Sequence, residues 1–336
     1  MEFKGELPEE NNKITLDLLD RKMLYLLSLN ARYPESSIAK SLKTSKEVIN
    51  YRIRRITNEG FLRGFITLID NNKLGYTTND IHLSIKPEYF KIILEKLEND
   101  NRINHVTNCS SPVDLQFRIT TKTIKEVENF IEEFLNKNHK EIIDYDIATI
   151  IREEFLGLKL LLENNKEIKI DDRKDLSFQK EINNKEENII IDEKDKEILE
   201  ILKLNARIPL LEISRIIKLA PTSVRNRIKK LCKDGVIKKF IPYYSLSYIG
   251  YQWYIMFIRT KNLDYNKFLA YTKEHPNIVW ISKRIGKWNY KLSIFTKNNT
   301  ELNNIIRDII ENFKESIINY QTGIVFKQYK FNQKVI

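Results

Sequence analysis

The sequence predicts an α+β fold built twice over, and three observations carry that reading. The chain of 336 residues is 42% hydrophobic with 9 Gly and 8 Pro, so it has apolar residues enough for packed cores and is not a disordered polymer. Self-comparison at an offset of 175 residues pairs Asn30-Ala31-Arg32 with Asn205-Ala206-Arg207, Pro34 with Pro209 and Arg52 with Arg227. It also pairs Gly60 with Gly235 and Gly75-Tyr76 with Gly250-Tyr251, and continues to Ile150 against Val325. Within each copy, helical spacing of apolar residues comes first and strand-like alternation follows.

In the first copy, Leu16 to Leu29 sets Leu19, Met23, Leu26 and Leu27 on one helical face. Asn30 to Pro34 breaks that helix, and Glu35 to Leu42 forms a short second one. Thr44-Ser45 caps a third helix that buries Ile49, Ile53 and Ile56, and Gly60 stops it. Phe61 to Ile69 reads as strand. The second copy repeats this as Asp192–Leu204, Leu210–Lys218, Pro221–Lys233, Gly235 and Val236–Tyr244. Three short helices and a strand pair describe a winged helix-turn-helix, expected over residues 14–70 and 189–245.

The remainder of each copy alternates differently. Strand, helix, strand, strand, helix, strand are expected at 81–85, 88–97, 103–108, 113–120, 124–136 and 142–151. The second copy gives 254–259, 265–274, 278–284, 290–296, 301–314 and 317–328. That βαββαβ order is a ferredoxin-like sandwich, assigned to residues 75–160 and 250–336. Residues 161–188, rich in Lys, Glu, Asp and Asn, read as a charged linker. Alternating apolar residues such as Ile81, Leu83 and Ile85, or Leu115, Phe117 and Ile119, are expected to pair the sheets face to face, within one chain or between chains.

The charge is unevenly placed. The formal net charge is +11. Residues 14–76 carry 11 basic and 6 acidic side chains, and residues 189–251 carry 13 and 7. Residues 77–151 are acidic, with 9 against 13, whereas residues 252–336 are basic, with 14 against 6. Basic helix-turn-helix parts suit phosphate neutralisation; that reading does not predict the basic second sandwich. No stretch reaches the ~20 apolar residues that cross a bilayer. Met1 to Lys13 is acidic, unlike a signal peptide, and two isolated cysteines, Cys109 and Cys232, fit a reducing cytoplasm, where the protein is expected. Scattered histidines make no metal site, and no cofactor is expected.

The stretch Leu219 to Leu231 concentrates the functional signal. Pro221 suits a first helical turn, and Val224, Ile228 and Leu231 form one apolar stripe. The opposite side presents Thr222, Arg225, Asn226 and Lys229, with Lys230 beside them for phosphates. The first copy would present Glu47, Asn50, Tyr51 and Arg54, with Ser45, Lys46 and Arg55 near phosphates. Arginine can pair with guanine and asparagine with adenine in the major groove of double-stranded DNA. Arg63, Lys238 and Lys239, where the wings begin, are expected on the DNA backbone. Arg52 and Arg227 flank the buried stripes and could be phosphate contacts or intramolecular pairs.

The run Asp195–Arg207, Leu210–Ile216, Ser223-Val224-x-x-Arg227-Ile228-x-x-Leu231, Gly235-Val236-Ile237 and Gly250 resembles the Lrp/AsnC (feast/famine) family of transcription regulators. The first copy matches more loosely at Asp20–Arg32, Ile38-Ala39, Arg52-Ile53 and Gly60. The resemblance implies that the sandwich is a RAM domain, which dimerises and in many members binds an amino acid near the turn between its second and third strands. The corresponding residues are Ser111 and Asp114 in the first copy and Gly286 and Asn289 in the second. The first turn keeps an acid without the glycine, the second keeps the glycine with an amide, and both turns are alternatively plain hairpins. Sirohaem decarboxylases look similar over the same two-domain unit, and an amino-acid-sensing or interaction module is a third reading. The expected partners are therefore double-stranded DNA and a second copy of the unit, with a small amino-acid effector open and no membrane.

Overall fold

A computed structural model describes residues 14–110, 113–162, 168, 170 and 189–331. The first helix-turn-helix comprises α1 (Leu18–Leu29), α2 (Glu35–Ser41) and α3 (Lys46–Asn58), followed by β1 (Leu62–Ile69). Asp17 and Asp20 form a reciprocal capping box at the start of α1, and Ser45 caps α3 by accepting from the Val48 amide. The first sandwich is β2 (Thr77–Ile85), α4 (Phe90–Asn99), β3 (Ile103–Cys109), β4 (Leu115–Thr121), α5 (Ile124–Asn138) and β5 (Ile142–Phe155). The second helix-turn-helix is α6 (Glu193–Leu204), α7 (Leu210–Ile217), α8 (Pro221–Lys233) and β6 (Ile237–Tyr244). The second sandwich is β7 (Gln252–Thr260), α9 (Tyr265–Glu274), β8 (Ile278–Ile285), β9 (Tyr290–Thr296), α10 (Asn299–Phe313) and β10 (Ile317–Phe331).

Neither helix-turn-helix carries a wing hairpin of its own. β1 pairs antiparallel with β6, and Ile66 sits opposite Ile241, its mate at the 175-residue offset. A local two-fold axis therefore passes between these two residues. The same symmetry recurs in the hydrogen bonds: Ala31 N–H donates to Phe240 C=O at 2.8 Å and Ala206 N–H to Phe65 C=O at 2.9 Å. Arg32 reaches Ala206 C=O at 2.6 Å, and Arg207 returns the contact to Ala31 and Tyr33 carbonyls. The Asn-Ala-Arg repeat is thus the lock between the copies. Burial and the nearby Arg207 charge push the Arg32 pKa down to about 10.

The two sandwiches also join through their edges. Their strands run in the order β10-β3-β4-β2-β5-β8-β9-β7 and close into one eight-stranded barrel, with seams β5–β8 and β10–β3 between copies. This corrects the expected face-to-face stacking. Ile81, Leu83, Ile85, Leu115, Phe117 and Ile119 pack outward under α4 and α5, in one core with Ile93, Leu97, Phe130 and Phe134. The alternate residues face inward, and many of them are polar. Closure removes the exposed edges that two open sheets would present.

Charge pairing fills much of the barrel interior. Fully buried Asp80 accepts from Arg118 at 2.7 Å, Arg284 at 3.1 Å and Lys291 at 3.2 Å, and Arg118 also holds Glu153 at 3.0 Å. Burial alone would raise the Asp80 pKa, but Arg118, Lys291 and Arg284 hold it well below the usual carboxylate range. Asp80 and Glu153 come from the acidic sandwich and Arg284 and Lys291 from the basic one. Part of the charge asymmetry between the sandwiches is therefore complementarity across the barrel. A smaller apolar layer of Ile255, Phe257, Trp288, Val325 and Cys109 occupies the rest.

The stretch assigned as linker begins inside the fold. Its first residues, Leu161 and Leu162, are buried in the core of the first helix-turn-helix beside Leu160, whose C=O accepts from Tyr251 O–H at 3.2 Å. Of the remaining linker residues, Ile168 and Ile170 pack against that core, and residues 163–167, 169 and 171–188 lie outside the described residues.

Asp80→Ala would leave three buried cations short of their shared carboxylate, which costs about 3–5 kcal/mol when a buried pair is broken. Urea unfolding should show that loss, and an unchanged midpoint would remove Asp80 from the interior network. His82 and His105 supply a pH dependence. Burial with nearby cations lowers their pKa values to about 4 and about 3, whereas an unfolded histidine titrates near 6.5. The unfolded chain therefore takes up protons first as pH falls. Stability should be full above about pH 6.5 and decline steadily towards pH 4, and His105→Gln should flatten that decline.

Candidate nucleic-acid interface

The two third helices carry the surface that the sequence singles out. In α8 the apolar stripe Val224, Ile228 and Leu231 is fully buried, as periodicity requires. Thr222, Arg225, Asn226, Lys229 and Lys230 are exposed, and their side chains form no hydrogen bond or ion pair with the described residues. In α3, Lys46, Glu47, Tyr51 and Arg54 are exposed and Asn50 is half-buried. Tyr51 is 67% exposed, an unusual position for an aromatic ring on a small folded unit. Glu47 lies in the first turn of α3, where its own backbone N–H and the Ser45 hydroxyl hold its carboxyl below the usual range. Ser45 itself is exposed but its hydroxyl already caps the helix, at 3.3 Å from Val48 N.

Arg52 and Arg227 are intramolecular pairs. Arg52 binds Asp17 and Asp20, both at 2.7 Å, and Arg227 binds Asp192 at 2.7 Å and Asp195 at 2.8 Å. Each arginine ties the third helix of its unit to the capped start of the first. Arg55, expected near phosphate, also points inward and binds buried Asp20 at 2.5 Å.

The residues assigned to wings are placed elsewhere because β1 and β6 pair with each other. Arg63 donates to Ser245 Oγ at 2.6 Å and lies over the Tyr248 ring. Lys238 donates to Glu153 C=O at 2.8 Å and lies 3.5 Å from Asp70. Lys239 is half-buried over the Phe155 ring, and burial pushes its pKa down to about 8. Lys238 and Lys239 connect the two-stranded sheet to β5 of the barrel, and Arg63 is held by the segment that follows β6. Sequence reasoning assigned them by position after the third helix, and the cross-copy pairing that overrides the wing has no local signature.

The turn residues behave as hairpin parts. Asp114 Oδ2 accepts from Ile85 N at 2.7 Å, and its mate Asn289 Oδ1 accepts from Thr260 N at 2.9 Å. Both oxygens thus tie a turn to the end of the first sandwich strand. Gly286 has φ +150°, and a Cβ there would lie 2.8 Å from Ile147 C=O, so glycine is needed where this turn crosses β5. Ser111 lies outside the described residues.

Comparison with known proteins gives the family. Residues 191–238 match the winged helix-turn-helix DNA-binding family and residues 254–335 the Lrp/AsnC ligand binding domain. The HTH-type transcriptional regulator FL11 of Pyrococcus furiosus is 35% identical over 142 residues, which cover 42% of this chain and 93% of that protein. The chain belongs to the Lrp/AsnC family. The FL11 regulator of Pyrococcus horikoshii is 34% identical over 141 residues, again 42% of this chain and 92% of the relative. This Lrp/AsnC chain is therefore long enough for two such units. Among solved structures, the sirohaem decarboxylase NirDL shares the fold along the tandem, with a TM-score of 0.62 and 14% identity over 95% of this chain and 94% of that one. No helix among the described residues is long and apolar enough to cross a membrane.

Arg227→Ala tests the division of labour among the arginines of this Lrp/AsnC protein. It should lower unfolding stability by about 1–2 kcal/mol, by stranding the nearly buried Asp195 carboxylate. Arg225→Ala, at an exposed position without such a partner, should leave the unfolding midpoint within about 0.5 kcal/mol of the parent.

Proposed function

We propose that the protein is a non-enzymatic transcription regulator that binds duplex DNA, with sequence preference supplied by α3 and α8. One observation carries this: basic side chains near the third helices divide into two sets. Arg52, Arg55, Arg227, Arg63, Lys238 and Lys239 are held by intramolecular partners. Lys46, Arg54, Arg225, Lys229 and Lys230 remain exposed on the outward faces. About five phosphate contacts of this kind give a salt slope near −4 to −5, or a loss of about 10²–10³ in affinity between 50 and 200 mM salt. The two units in one chain are related by a local two-fold, which suits two half-sites on one duplex.

The half-sites should differ. Glu47 stands at the repeat position of Thr222, Asn50 of Arg225, Tyr51 of Asn226 and Arg54 of Lys229. A glutamate repels phosphate and accepts from cytosine, whereas arginine favours guanine. Selection from a random DNA pool should therefore return a non-palindromic site. Charge reversal at Arg225 and Lys229 should weaken binding more than reversal at Lys46 and Arg54. A short perfect palindrome, equally sensitive to both pairs, would contradict distinct readout, and no binding to any duplex would contradict the function itself.

The second reading is enzymatic, favoured by the likeness along the whole tandem to a sirohaem decarboxylase. A cavity between the barrel and the β1–β6 sheet holds His105, Arg118, Lys291 and tyrosines. A coloured pigment that co-purifies with the protein, or is bound when iron-uroporphyrin is added, would favour the enzyme.

A further inference from the structure

Between the barrel and the β1–β6 sheet lies a cavity of about 180 Å³, lined by residues from both. Tyr243 and Ile241 of β6 form one wall, and Trp253, Trp280 and Phe295 contribute aromatic faces. An eight-stranded barrel leaves room for its own side chains or for one small ligand. A cavity near 150 Å³ suffices for a single benzene ring. The volume here therefore suits one ring with a small substituent.

Three buried polar atoms on the lining lack a hydrogen-bond partner: His105 Nδ1, Ser282 Oγ and Trp253 Nε1. His105 is 9% exposed and Ser282 2%. An indole N–H can only donate. Gln328 Nε2 lies 2.7 Å from His105 Nε2 and donates to it, while its oxygen accepts from the Tyr243 hydroxyl. That arrangement leaves the His105 proton on Nδ1, a donor without an acceptor. The Lys291 ammonium has three N–H bonds and directs two, to Asp80 and Gln116, both at 3.2 Å. Of the charged groups on the lining, Arg118 and Lys291 are already paired with the carboxylates of Asp80 and Glu153.

We propose that this cavity binds a single-ring aromatic carboxylate, its ring against the aromatic side chains of the lining, where Trp253 and Phe295 are stacked on each other, and its carboxylate on the His105, Ser282, Trp253 and Lys291 donors. A carboxylate supplies the acceptors that these groups lack, and an aromatic ring matches the faces around it. The site is separate from the hairpin turns at Asp114 and Asn289, whose side chains serve the turns themselves.

Calorimetric titration of the full chain tests this with benzoate and phenylacetate as probes, against benzyl alcohol and acetate. At least one aromatic acid should bind at least tenfold more tightly than either control, and Lys291→Met should weaken it tenfold or more. Because Lys291 also pairs with Asp80, Ser293→Leu provides a second variant that narrows the cavity and removes no charged group. Ser293→Leu should abolish the binding heat while circular dichroism stays unchanged. Absence of binding by both acids, binding of benzyl alcohol as tight as theirs, or binding indifferent to both substitutions would overturn the proposal and leave a cavity that holds ordered water only.

Discussion

Nearly everything in this molecule depends on strand pairing between its two copies. Each copy contributes a strand, β1 or β6, that finds its partner in the other copy. The sandwich sheets likewise meet across two seams. Backbone N–H and C=O groups on such edges would otherwise face solvent, where they invite association with other chains. Covalent linkage supplies the partner at high effective concentration, so these pairings form within the chain. The positions of α3 and α8, the polar barrel interior and the cavity at its end all follow from that closure.

The sequence was most legible where the signal is local. Helical stripes such as Val224, Ile228 and Leu231, the caps at Asp17 and Ser45, and the βαββαβ order all follow from short-range rules. Non-local consequences were harder to read. Period-two alternation places Ile81 and Asp80 on opposite faces of β2, but does not say which face meets helices and which meets another sheet. Apolar residues were assigned to the sheet interface, and they lie under helices instead. The 175-residue repeat pairs the two Asn-Ala-Arg runs, but nothing in it shows that Arg32 and Arg207 each reach across to the other copy.

The candidate interface divides in the same way. Exposed cations on α3 and α8 follow directly from the stripe on the opposite face. Arg55, Arg63, Lys238 and Lys239 do not, because a cation next to a DNA-binding element is equally suited to an internal carboxylate or carbonyl. Helix-turn-helix units this small use charged pairs such as Arg52–Asp20 and Arg227–Asp195 to hold their helices together. A count of basic residues therefore overstates the charge available to phosphate.

The barrel interior has one property that two separate identical subunits could not have. At the repeat offset, Asp80 corresponds to Ile255, His82 to Phe257, Arg118 to Ser293, Arg284 to Cys109 and Lys291 to Gln116. Every charged member of the network has an uncharged mate. In a symmetric assembly each ion would recur across the axis, and Asp80 would face a second aspartate's surroundings rather than the present sequestered cluster with an apolar layer beside it. Fusion into one chain let a substitution occur once instead of twice. The interior could then become lopsided, with ions gathered on one side and aromatic rings on the other, a heterodimer's core inside a single polypeptide.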